Sequence, residues 1–194
     1  DLFTIQSEML PFGKSLDGLH IVLMGDLKHG RTVHSLSKLL SLYKNIQVTM
    51  ISPRALQMPD NVISTLMNAG HKVNITDKLE GNLTCDVIYQ TRIQQERFPS
   101  QDEADLYRGH FSLNKELYQQ YCQQHTVIMH PLPRDSRPEA NELDVDLNDL
   151  DNLAIFRQAQ NGVLVRMALF ALSLGVEDKL TQYEKPVTWF TNKI

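Results

Sequence analysis

Three short segments hold the side chains best suited to gripping an anion. The first, Gly25-Asp-Leu-Lys-His-Gly-Arg-Thr-Val-His34, reads as a strand end, a loop bounded by two glycines and the start of a helix. It lacks both the G-x-G-x-x-G spacing of dinucleotide sites and the G-x-x-x-x-G-K-[ST] spacing of a P-loop. Lys28 and Arg31 nevertheless stand beside a helix N-terminus, whose unpaired N–H groups themselves favour negative charge. The segment is therefore either a carboxylate or phosphate site or a solvated basic loop.

The second segment is Thr91-Arg-Ile-Gln-Gln-Glu-Arg97. Arg92 and Gln94 alternate about Ile93, so an extended chain points both to one side. A guanidinium fork beside a carboxamide suits a small carboxylate ligand, and Glu96 is placed to orient Arg92. The plain alternative is a surface arginine with an i+4 ion pair. The third segment is His130-Pro-Leu-Pro-Arg134. Its two prolines fix the backbone and remove N–H donors but not carbonyl acceptors, so it is either a rigid loop presenting carbonyls to a ligand or a stiff connector. His20, His34, His71, His110 and His125 are scattered without metal-ligand spacing and read as surface or core histidines.

These segments all follow apolar runs with strand character. Residues 19–24, 47–51, 72–76, 86–90 and 126–129 read as strands. Helical spacing predicts helices over 32–43, 61–68, 114–122 and 156–174. Strands alternating with helices predict an α/β fold, a doubly wound, Rossmann-like parallel sheet of about five strands with helices on both faces. Such sheets bind ligands beyond the carboxyl ends of their strands, where the three segments lie. Residues 99–109 are polar and acidic and read as a mobile loop, and 134–149 as an acidic loop. The helix over 156–174 is apolar on nearly every side from Val163 on, which predicts burial or a covering partner. Residues 1–18 open with Leu2, Phe3, Ile5 and Met9 at helical spacing, with no cap before them. A chain opening inside an apolar helix reads as a piece of a longer one. The tail, with Pro186, Trp189 and Phe190, gives no firm reading.

Length and composition set broad limits. A chain of 194 residues fits one domain with extra segments at its ends. The formal net charge of −4 implies no broad basic surface, so nucleic acid is a poor partner by composition. No apolar run is long enough to span a membrane and no signal peptide is visible, which makes the cytoplasm the expected location. Cys85 and Cys122 have neither metal nor redox spacing and read as two reduced, buried thiols.

Taken together, the three segments resemble the aspartate carbamoyltransferase family, in its order and at plausible separations. Phe156-Arg-Gln-Ala-Gln-Asn-Gly162 with Arg166-Met-Ala-Leu resembles that family's closing helix, and Asp1-Leu-Phe-Thr-Ile-Gln the helix joining its two domains. The resemblance covers roughly residues 1–175. It implies a linking helix over 1–18, an aspartate-binding domain over 19–175 and a tail of unassigned role over 176–194. It implies that Arg31, Arg92 and Gln94 hold the carboxylates of L-aspartate. Leu132 and Pro133 would touch carbamoyl phosphate through backbone carbonyls, with Lys28, His29, Glu96, His130 and Arg134 in support. The implied reaction is attack of the aspartate amine on the carbamoyl carbon with loss of phosphate, in pyrimidine biosynthesis, without metal or organic cofactor. The family's carbamoyl-phosphate domain, with its Ser-Thr-Arg-Thr loop and His-Pro-x-Gln segment, is not in this sequence. The family is a homotrimer whose sites borrow residues from the neighbouring chain, and it leaves room for a regulatory chain. This chain alone is therefore expected to be incompetent as an enzyme.

Two rivals remain at this level. Ornithine carbamoyltransferases share the fold but carry a His-Cys-Leu-Pro segment where this chain has Pro131, and paired Arg31 and Arg92 suit a dianionic amino acid better than a cationic one. A non-catalytic module that senses an anion or amino acid is the rival from another class.

Overall fold

The computed structural model describes residues 1–81, 83–107, 111–135, 137 and 140–183. Five strands form one parallel sheet: β1 (His20–Met24), β2 (Gln47–Ile51), β3 (Lys72–Thr76), β4 (Val87–Gln90) and β5 (Val127–Met129). Their spatial order is β3-β2-β1-β4-β5. The chain thus winds outward from β1 to β3, then crosses back to lay β4 on the other side of β1. The crevice beyond the carboxyl ends of β1 and β4 is the topological switch point, where open α/β sheets bind ligands.

Alternation along the strands explains why both faces are covered. Ile21 and Leu23 pack with Ile5 and Met9 of α1 (Leu2–Met9), Val33, Leu36 and Leu40 of α2 (Arg31–Leu40), and Val62 and Leu66 of α3 (Asp60–Asn68). Val22 and Met24 face the other way. They join Ile88, Ile128 and Leu143 and Tyr118 of α5 (Lys115–Tyr121). Strands buried on both faces read as continuous apolar runs, which is the pattern in the sequence. α2 stops at Leu40, three residues before the predicted end. The chain turns there, with Tyr43 N–H donating to the Leu40 carbonyl and Asn45 in the left-handed region at φ 55°.

The segment over 99–109 is not a simple loop. Residues Gln101–Asp105 form a short helix, α4, and the Ser100 hydroxyl accepts the Glu103 N–H at 3.3 Å. This S-x-x-E start is a helix signal that the acidic composition hid. Residues 108 and 109 lie outside the described residues, as do His110 and the tail from 184 on. The acidic stretch over 134–149 closes with a 3-10 turn, Val145–Asp149, capped by the Asp144 carboxylate. Residues 1–18 hold the eight residues of α1 and a 3-10 turn, Leu10–Phe12, started by Pro11. Cys85 is buried, but Cys122 is only half-buried, which corrects the expectation of two buried thiols.

The closing helix, α6 (Ile155–Leu174), is tied to α1. Arg157 forks onto Glu8 at 2.6 and 2.9 Å, and the Gln158 amide donates to Asp1 at 2.7 Å. Beyond that junction the described residues leave its apolar surface bare, with Phe170 69 % and Leu174 72 % exposed. No helix among the described residues is long and apolar enough to cross a membrane.

Gly25 joins β1 to the crevice at φ +113°, and a Cβ there would sit 2.3 Å from the Thr91 carbonyl oxygen. Gly70 also has positive φ, +84°, but nothing lies within 4 Å. Gly25→Ala should therefore cost about 3 kcal/mol or more, strain and clash combined, and Gly70→Ala only about 1 kcal/mol of strain. Urea denaturation checks this. Equal shifts in midpoint for the two variants would contradict the close approach of β1 and β4.

Candidate functional site

The ends of β1 and β4 are stitched before any site residue is placed. Thr91 N–H donates to the Met24 carbonyl at 2.8 Å, and the Thr91 hydroxyl donates to the same oxygen at 3.2 Å. Asp26, two residues beyond Met24, is fully buried. Its carboxylate accepts the His29 N–H at 2.9 Å, the His29 Nδ1–H at 3.1 Å and the Gln94 N–H at 3.2 Å. One carboxylate thus fixes the loop after β1 and the segment after β4 relative to each other. A buried carboxylate needs such donors, because desolvating an unpaired charge is costly.

This stitching brings six of the ten sequence-predicted residues to one cavity of about 180 Å³. Arg31, Arg92, Gln94, His130, Leu132 and Pro133 line it, with Gly30, Thr32, Thr91 and Pro131. Gly30 starts α2 without a side-chain cap, and the first turn carries no acidic residue. The helix therefore offers unpaired N–H groups and its positive end to the cavity. Thr32 sits in that turn and was not singled out from the sequence.

Arg92 is held from behind by Glu96, as the i+4 spacing allows. Its Nη1 and Nη2 donate to the two Glu96 oxygens at 3.0 and 2.5 Å, and Nη1 also reaches the Ile93 carbonyl at 3.4 Å. The Arg92 guanidinium holds the Glu96 carboxyl below the usual glutamate range, and Glu96 in turn raises Arg92. Arginine has five N–H groups, so Glu96 does not exhaust it. The edge formed by Nε and Nη2 keeps two N–H groups that no described residue takes. Such an edge matches a second carboxylate with two parallel hydrogen bonds.

The other predicted residues sit elsewhere. Lys28 and His29 line a neighbouring hollow of about 360 Å³ with Arg97, Phe98 and Tyr107, away from Arg31 and Arg92. The loop after β1 turns them out, and Asp26 and the edge of Phe98, at 5.6 Å, account for the His29 ring. Arg134 is half-buried, and its Nη1 finds no partner among the described residues. His130, by contrast, lines the cavity; it is 1 % exposed and bonds Glu142 at 3.0 Å. Asp26 lies in the first of the three segments, and its place just after an apolar strand was the available signal. Glu142 had none, being twelve residues from its partner. A larger hollow, about 610 Å³, lies between Phe12, Tyr118 and Asn152. Its charged lining includes Asp149 and Asp151 and no lysine or arginine, which is the wrong sign for an anion.

Asp26→Ala should strand three N–H donors and loosen Gln94. An unsatisfied buried donor costs about 1–3 kcal/mol, so a loss of about 3 kcal/mol is expected, with Asp26→Asn milder because its carbonyl keeps an acceptor. Thermal or urea unfolding of the two variants checks the order. Asp26→Ala at parent stability would show that the carboxylate is not the tie.

With this geometry in place, likeness to known proteins becomes specific. A sequence model described as "Aspartate/ornithine carbamoyltransferase, Asp/Orn binding domain" matches residues 17–173. The aspartate carbamoyltransferase catalytic subunit of Cellvibrio japonicus is 59 % identical over 193 residues, covering 99 % of this chain and 57 % of that protein. The chain thus spans little more than half the length of this relative. Among solved structures, the catalytic subunit of the aspartate transcarbamoylase of M. jannaschii is similar with a TM-score of 0.76 at 36 % identity, covering 92 % of this chain and 55 % of that one. The aspartate transcarbamoylase of Trypanosoma cruzi, solved with carbamoyl phosphate and aspartate, gives a TM-score of 0.73 at 36 % identity, covering 86 % and 52 %. Five parallel strands in this order, a cationic crevice at their switch point and a match over most of the chain lead to one assignment: the chain belongs to the aspartate/ornithine carbamoyltransferase family, as its Asp/Orn-binding domain.

Proposed function

We propose that this chain is the aspartate-binding half of an aspartate carbamoyltransferase. The observation that carries the reading is the convergence of Arg31, Arg92 and Gln94 on the cavity that Leu132 and Pro133 also line. L-Aspartate brings two carboxylates. Arg92 would take one with its Nε–Nη2 edge while Glu96 keeps the opposite side of the guanidinium. Arg31 and the N-terminus of α2 would take the other, and Gln94 would add a neutral donor. Leu132 and Pro133 offer carbonyl acceptors and no proline N–H, which suits the amino group of carbamoyl phosphate. Lys28, His29 and Arg134 are assigned to the surrounding frame and not to contact.

The chemistry asked of these residues is positioning. The aspartate amine attacks the carbamoyl carbon, a tetrahedral intermediate forms, and phosphate leaves with the C–O bonding pair and takes up the proton that the amine loses. Holding both reactants in line supplies much of such a rate enhancement. The groups that would bind the phosphate are not among the residues gathered here. They belong to the carbamoyl-phosphate domain that accompanies this one in a full-length enzyme, with residues 1–18 as the link and residues 19–175 as the aspartate domain. The bare apolar face of α6 fits a helix covered by that domain, and a homotrimer completes the sites. Two guanidiniums in the cavity, and the similarity to the enzyme solved with aspartate and carbamoyl phosphate, favour aspartate over ornithine.

Steady-state kinetics of the full-length enzyme test the reading, with carbamoyl-aspartate as the measured product. Arg92→Lys keeps the charge but loses the fork. Losing one charge-assisted contact costs about 1.5–3 kcal/mol, or roughly ten- to a hundredfold. That loss should appear in the KM for aspartate, and in kcat as well if the contact tightens toward the transition state. The 194-residue chain alone should give no turnover. Near-normal aspartate kinetics in both Arg92→Lys and Arg92→Ala would return Arg92 to the role of a surface arginine.

A further inference from the structure

The turn carrying Leu132 and Pro133 is clamped from underneath by two residues that the reading so far leaves without a role. His130 and Glu142 are 1 % and 2 % exposed. Leu132 N–H donates to His130 Nδ1 at 3.0 Å. That nitrogen is therefore an acceptor, and the ring proton of the neutral imidazole must sit on Nε2. Nε2 lies 3.0 Å from Glu142 Oε1 and donates to it. The same oxygen accepts the Asp135 N–H at 2.8 Å.

The pair thus holds the turn at both ends. Leu132 supplies the single N–H between two prolines, and the imidazole takes it. Asp135 supplies the N–H where the chain leaves, and the carboxylate takes that one. Between these points Leu132 has φ 50°, a left-handed conformation that a leucine does not keep without being held. The backbone that carries the imidazole is itself anchored. His130 N–H donates to Gln158 Oε1 at 3.0 Å, Gln158 reaches Asp1, and Asp1 also accepts the Tyr89 hydroxyl at 2.9 Å. Glu142 and Asp135 also lie close enough to Arg92 to help hold its positive charge.

We propose that His130 and Glu142 are positioning residues, a neutral imidazole protonated on Nε2 and a carboxylate that together fix the turn presenting Leu132 and Pro133 to the cavity shared with Arg31 and Arg92. The proposal rests on the reading of Leu132 and Pro133 as carbamoyl-phosphate contacts. The pair touches neither reactant and acts through the backbone it holds.

Two measurements on the full-length enzyme test it. In ¹⁵N-histidine-labelled enzyme, ring-nitrogen NMR should show His130 with Nε2 protonated and Nδ1 bare, assigned by loss of the signal in His130→Asn. The opposite tautomer would overturn the clamp whether or not the enzyme turns over. In kinetics, Glu142→Ala should raise the KM for carbamoyl phosphate about tenfold or more, the scale of a lost charge-assisted hydrogen bond. The KM for aspartate should change less. Glu142→Gln keeps a carbonyl oxygen for both N–H donors and should recover most of the loss. If Glu142→Ala does not fold, Glu142→Gln still decides through the same ratio of the two KM values, with a small rise confined to carbamoyl phosphate expected. Equal rises in both KM values, or a Gln variant as impaired as the Ala variant, would overturn the proposal. An unmodified enzyme that forms no carbamoyl-aspartate would instead overturn the functional reading, and the tautomer would still decide the pair.

Discussion

A single buried carboxylate sets the distance between the two halves of this site. Asp26 follows β1, has no exposure and binds N–H groups from its own loop and from Gln94 beyond β4. Gly25 lets the two strand ends approach until no Cβ fits between them. Without that junction Arg31 and Arg92 would be two basic residues on separate loops. With it, they face one cavity whose third wall is the turn after β5. The crossover from β3 back to β4 makes the junction available, since it places β4 beside β1 and opens the crevice there.

Most of the frame was legible because its signals are local. β1 and β5 are buried apolar runs, β3 is an exposed edge strand that alternates polar and apolar residues, and all five strands appear within a residue of their expected ends. α2 and α3 carry their apolar residues at helical spacing and were equally plain. α4 was missed because acidic composition was read ahead of the Ser100 cap. The tertiary pairs were not legible in the residues themselves. Glu142 meets His130 across twelve residues, and Gln158 meets the His130 N–H across twenty-eight. No spacing rule reaches that far. Lys28 and His29, expected in support of the site, lie off the cavity for a related reason: their neighbours in sequence enter it, but they line the next hollow, where Asp26 holds the His29 backbone and ring.

The charges of the cavity are arranged so that recognition need not dismantle the resting structure. Glu96 occupies one side of Arg92, and no described residue takes the Nε–Nη2 edge, which the proposed reading gives to a carboxylate. An arginine already fixed by a carboxylate loses less conformational freedom on binding than a free one. The same economy holds at the third wall, where prolines and the His130 ring leave the backbone of Leu132 and Pro133 with carbonyls to offer and no spare N–H.

Amide-resolved NMR of the 194-residue chain titrated with L-aspartate tests this account most directly. The account predicts that the shifts concentrate on Gly30, Arg31, Thr32, Arg92 and Gln94, around the β1–β4 crevice. L-Ornithine should leave those resonances in place. Shifts gathered at the hollow between Phe12, Tyr118 and Asn152, or an equal response to both amino acids, would contradict a dicarboxylate site at the switch point.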